Sequence, residues 1–145
     1  MVMRGVRALI LGLGLAVAAA NSCSSGTAEP LVDLPPTIQN IAGSYSATSF
    51  TGGGYDVLAL GGNLQLTLGV DGSLAGELNV PASAGGPLLA DMAGTYTING
   101  NRLTFEQQAD TFVRDATWTW TNAVLNGYWA GGGETATVRL ERISP

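Results

Sequence analysis

From residue 41 onward the chain alternates between apolar and polar positions. In "NLQLTLGVDGSLAGELNV" (63–80), Leu64, Leu66, Leu68 and Val70 are separated by polar or small residues. Asp71-Gly72 interrupts the run, and Leu74, Gly76, Leu78 and Val80 resume it. A period of two sends alternate side chains to opposite faces of a strand. An Asp-Gly pair between two such runs predicts a hairpin, because glycine accepts the positive φ of a tight turn. "GTYTINGNRLTFEQ" (94–107) has the same form around Asn99-Gly100, with Tyr96 and Ile98 on one face before the turn and Leu103 and Phe105 on one face after it. "ATWTWTNAVLNGYW" (116–129) predicts a third hairpin. There Ala116, Trp118 and Trp120 oppose a threonine face, and Thr121-Asn122 leads into Leu125, Gly127 and Trp129. Further strands are predicted over 43–50 and 135–143.

Eight strands and no helical period predict an all-β fold, a barrel or a two-sheet sandwich. The connections favour the barrel. Those after strands 2, 4 and 6 are tight, whereas "TGGGYDVLALGG", "PASAGGPLLADM", "QADTFVR" and "AGGGE" are long or glycine-rich and all fall at the other end. An eight-stranded antiparallel up-and-down barrel with a closed base and an open mouth is the expected architecture. Closure removes the unpaired edges that a flat sheet without lysine would leave unguarded, and Gly76, Gly94 and Gly127 fit the kinks that curved strands need.

The first forty residues follow a different grammar. Arg4 and Arg7 precede an uncharged run from Ala8 to Ala20, and small residues lead to Cys23. This is the layout of a secretory signal peptide over 1–22. The competing reading, a membrane anchor, needs roughly 20 apolar residues, and the run supplies thirteen. Cys23 is the only cysteine, so no internal disulfide can form. Its position resembles the lipid-attachment site of bacterial lipoproteins, with Ala20 and Ser22 in suitable places; ordinary cleavage after Ala20 is the other reading. Residues 23–40, rich in serine and proline, are expected to form a flexible tether before a barrel domain over 41–145. The resulting location is the bacterial cell envelope, with the membrane reached through a lipid on Cys23.

Charge narrows the function. Without residues 1–22 the chain keeps four arginines against eleven carboxylates, a net charge of −7, and it contains no lysine or histidine. Nothing there neutralises a row of phosphates, so nucleic acid is not an expected partner. Without histidine, and with its one cysteine in the leader region, the chain offers no triad or zinc site. Asp110 and Asp115 flank one mouth loop but read as solvated acids, "DGS" lacks the remaining ligands of a calcium loop, and "GGG" at 52–54 and 131–133 has no helix or lysine to hold a phosphate. No enzyme activity, cofactor or metal is expected.

Residues 41–143 resemble small bacterial lipocalin-like domains. Lipocalins open their first strand with a Gly-x-Trp motif at the closed end, and an arginine near the end of the last strand packs over that ring. Here Gly43-Ser44-Tyr45 has tyrosine in place of tryptophan, and "VRLER" (138–142) ends the barrel. Counting by two from Val138 and Leu140 turns Arg142 toward Tyr45 as a cation–π pair at the base, with Arg139 the substitute should the parity slip. The resemblance implies a cup for a small apolar ligand.

Trp118, Trp129, Phe105, Tyr96 and Leu58 are the candidate ligand contacts, in a space opened by Gly76, Gly94, Ala116, Gly127 and Ala136. Trp120, next to a tight turn, is expected in the core near the base. The same rings can serve as core alone, since each buries about 150–250 Å². "YDVLAL" (55–60) is either a lid or a plug, and "PLLADM" (87–92) is expected to complete the rim. Two functions stay open. One is a binder of a small hydrophobic ligand; the other is a packed barrel that works as an envelope scaffold or protein-interaction module.

Overall fold

The computed structural model describes residues 35–145. The expected leader, the Cys23 attachment site and most of the tether lie outside them. The chain runs α1 (Ile38–Ile41), β1 (Gly43–Gly52), β2 (Tyr55–Asp56), β3 (Asn63–Leu68), β4 (Ser73–Val80) and β5 (Leu88–Asn99). It continues through β6 (Arg102–Gln107), α2 (Phe112–Asp115), β7 (Thr117–Thr121), β8 (Val124–Gly131) and β9 (Glu134–Ser144). Every long strand pairs antiparallel with its sequence neighbour, and β9 returns to β1 from Ser44↔Ser144 to Gly52↔Ala136. The fold is a closed antiparallel eight-stranded barrel, with β2 a two-residue bridge added to β1.

The alternation explains the closure. Leu64, Leu66, Leu68, Leu74, Leu78, Leu125, Val138 and Leu140 are buried, while the residues between them face outward. The outer face of β7 and β9 carries Thr117, Thr119, Thr121, Thr137, Arg139 and Glu141. Polar outside and apolar inside is the reverse of a membrane-spanning barrel. Among the described residues no helix is long and apolar enough to cross a membrane.

Turn chemistry sets the two ends. The β3–β4 turn spans Gly69–Gly72, with Gly72 at φ +82° and Asp71 Oδ1 accepting the Ser73 amide at 3.0 Å. This corrects the reading of Val70 as an inward strand residue: it sits in the turn and is 70% exposed. The β5–β6 and β7–β8 loops are two residues each, Gly100-Asn101 and Asn122-Ala123, one position later than the sequence pattern suggests. Gly132-Gly133 forms an equally tight turn, with φ +62° and +84°, so the β8–β9 connection is not the loose loop expected. Two adjacent glycines accept the positive φ of a type I′ hairpin.

The mouth departs from expectation at two further places. Of residues 87–92, expected to complete the rim, Leu88 lines the mouth cavity, while 88–92 form the first part of β5, which pairs with β4 from Leu88 and with β6 only from Gly94. Leu89 on this one-sided stretch is 75% exposed. Strands β6 and β7 share just two residue pairs, Arg102↔Thr119 and Leu103↔Trp118. Above them α2 fills the widening seam, buries Val113 and offers the Val113 carbonyl to Trp118 Nε1 at 2.8 Å.

Candidate functional site

The base is built around one hydroxyl. Tyr45 Oη donates to the Ile41 carbonyl at 2.5 Å and accepts from Trp120 Nε1 at 3.1 Å. It also accepts from Arg142 Nη2 at 3.0 Å. The Arg142 guanidinium carbon lies 5.5 Å from the Tyr45 ring centroid, within cation–π reach. Its Nη2 also bonds the Asn40 carbonyl, which draws α1 under the barrel. Residues 38–40, expected to end the tether, are therefore part of this closure. A capping box between Thr37 and Asn40 starts the helix.

Above the base the interior is filled. Trp118 is fully buried, its ring centroid 5.3 Å from that of Phe105. The glycines read as opening a pocket instead admit neighbours. A Cβ on Gly127 would lie 2.6 Å from the Trp118 ring, and one on Gly76 would lie 2.8 Å from Leu66 and 3.0 Å from Met92. Gly94 brings its backbone against that of Glu106. Ala116 caps α2 and packs on the core.

A cavity of about 210 Å³ lies at the open end. Phe50 and Phe112, with ring centroids 5.5 Å apart, form one wall, and Trp129 continues it 6.5 Å from Phe112. Tyr55, Val57, Val80 and Leu88 contribute from the opposite loops and strand ends, and Ala136 faces in from β9. Gly52, Gly53, Gly85 and Gly86 keep the rim low. Gly85, at φ +102°, holds a left-handed conformation with the Tyr55 ring over it, 3.6 Å from where a Cβ would be.

The structure separates the five candidate contacts. Trp129 lines the cavity. Trp118 and Phe105 belong to the core beneath it. Tyr96 lies near the base, where its hydroxyl donates to the Gly69 carbonyl at 2.8 Å, and burial pushes the phenol pKa up. Leu58 packs against the core without lining the cavity, and its neighbour Val57 takes that place, because the β1–β2 hairpin turns Val57 inward. The 55–60 segment is thus rim and plug together. Phe50 and Phe112 are cavity-lining residues that the sequence did not single out, whereas Val57 belongs to the 55–60 loop that it did. Phe50 was visible as the end of the first strand; Phe112 lies in a loop without periodicity.

Glu134 and Thr135 are polar residues on the cavity lining, and further polar groups gather around α2. Arg114 is held by Asp115 at 2.8 Å and Asp110 at 2.7 Å. The Arg114 guanidinium hydrogen-bonded to it holds the exposed Asp115 carboxyl below its ordinary range. Gln107 donates to Thr111 at 2.8 Å while its buried Oε1 has no partner among the described residues. Among those residues no three Asp, Glu, Cys or His side chains gather as a metal site. No protein-family model matches the chain, and no curated protein matches it in sequence.

Proposed function

We propose that this protein is an exported, lipid-anchored barrel of lipocalin-like type that holds the apolar part of a small molecule in its mouth, without catalysing a reaction. The observation that carries the reading is the cavity of about 210 Å³ walled by Phe50, Phe112 and Trp129. Engineered apolar cavities of about 150 Å³ accept benzene, whereas whole drug-sized ligands occupy about 300–1,000 Å³. The mouth therefore suits one ring or a short branched chain, the rest of the molecule staying outside. Export and the Cys23 anchor rest on the pattern of residues 1–23.

Native mass spectrometry of the full-length protein, extracted gently from envelopes, tests the reading. A reproducible added mass that is absent from an Ala136→Leu variant, in which leucine fills the cavity, is the expected result. A bare mass, with tryptophan emission indifferent to apolar probes, would sink it. One observation favours the second reading, a packed barrel that works by protein contact: the one-sided β5 edge carrying Leu89. That reading gains if Leu89→Asp releases an envelope protein that co-purifies with the bare barrel.

A further inference from the structure

We propose that the mouth selects organic cations, an amine or quaternary ammonium borne on an apolar body. The inference rests on reading the cavity as a ligand site and names the chemical class it takes.

Two features carry it. The first is the lining: four aromatic residues, Phe50, Tyr55, Phe112 and Trp129, and one charged side chain, Glu134. Aromatic faces attract cations through their quadrupole, and tryptophan does so best. A carboxylate at the rim completes such a site and repels an anion. Glu134 forms no ion pair with the described residues, so its charge is available to a ligand. Trp129 is half-buried on the lining, so part of its ring stays open to the mouth, whereas Trp118 and Trp120 are buried with their indole N–H groups donating within the protein.

The second feature is the charge around the cavity. The elements of the open end carry Asp56, Asp110, Asp115 and Glu134 against the single arginine Arg114, itself engaged by Asp110 and Asp115. Arg142 belongs to the base, Arg102 begins β6 next to a base turn, and Arg139 faces outward beside Glu141 at 3.1 Å. The charge of this acidic chain thus favours cations at the mouth, and a low-dielectric wall of rings concentrates that field.

Isothermal titration of the full-length protein with benzyltrimethylammonium, benzyl alcohol and benzoate tests the proposal. The cation is expected to bind at least tenfold more tightly than the alcohol, with benzoate weakest. Glu134→Gln is expected to remove most of that preference while leaving the alcohol's affinity unchanged, and added salt is expected to weaken the cation alone. If the alcohol binds as tightly as the cation, the selectivity is overturned and the apolar mouth stands. If none of the three binds, and Ala136→Leu behaves like the unaltered protein toward all of them, the ligand reading falls as well.

Discussion

The two ends of the barrel solve opposite problems with similar residues. At the base the Ile41 carbonyl, an indole and a guanidinium converge on the Tyr45 hydroxyl, and each of these polar groups has a partner. At the mouth an aromatic wall of comparable size meets glycine loops and empty space, and its indole N–H has no partner among the described residues. Buried hydrogen bonds confer stability largely because breaking one strands its partner. An apolar wall facing a cavity carries no such penalty and forgoes contacts that an occupant could restore. Order is concentrated below and adaptability above.

Substitutions at matched positions sharpen the contrast, beginning with the largest effect. Trp118→Ala empties the packed middle and is expected to lower stability by about 3–5 kcal/mol, read by chemical denaturation. Trp129→Ala, at the half-buried wall, is expected to cost well under half as much. Equal losses would mean that the mouth wall is core. Next comes the hub: Tyr45→Phe keeps the ring but strips Trp120 Nε1 of its acceptor and leaves Arg142 with the Asn40 carbonyl alone, a loss of about 1–3 kcal/mol. Tyr45→Ala and Arg142→Ala combined are expected to cost less than their sum; additive losses would show that the pair is not coupled.

The smallest effect is a pH dependence at the β3–β4 turn. Hydrogen bonds from Ser73 hold the exposed Asp71 carboxyl below its ordinary 3.8. A depressed carboxylate stabilises the fold above its unfolded pKa, and that contribution fades as pH falls through the lower folded value. Thermal melts of the unaltered protein are therefore expected to weaken below about pH 4 slightly more than melts of Asp71→Asn. Parallel curves would mean that the turn does not feel the carboxylate.

How much of this was legible in the sequence follows from what each signal encodes. Period two identifies a residue's face, so Leu64, Leu78, Trp118 and Leu140 were assigned inward and are buried. It does not identify height along the barrel. Tyr96 was placed among the ligand contacts although it lies only three positions before Asn99, where a tight turn marks the base. The glycines misled for a related reason. A missing side chain signals space, but whether a neighbour enters it depends on register, and Gly127 pairs directly with Trp118. Phe112 was unreadable because α2 is too short to show a period, and for the same reason the 55–60 loop could be placed at the mouth without showing that Val57 is the residue it turns inward. The Tyr45–Arg142 contact could be anticipated by parity; the hydroxyl's role as a shared acceptor depends on how Trp120 and α1 pack around it, which no local pattern encodes.

One consequence of the closure concerns attachment. The chain enters the barrel through α1 beneath the base, and β9 runs out beside the first residues of β1, at Ser44↔Ser144. Both strand ends that lead away from the barrel therefore lie opposite the mouth. A surface, tag or fused partner coupled through either of them meets the Tyr45 hub first and leaves the glycine loops at 53–62 and 81–87 unobstructed. Those loops can be diversified in a library while the molecule is held by its other end, as a display scaffold requires.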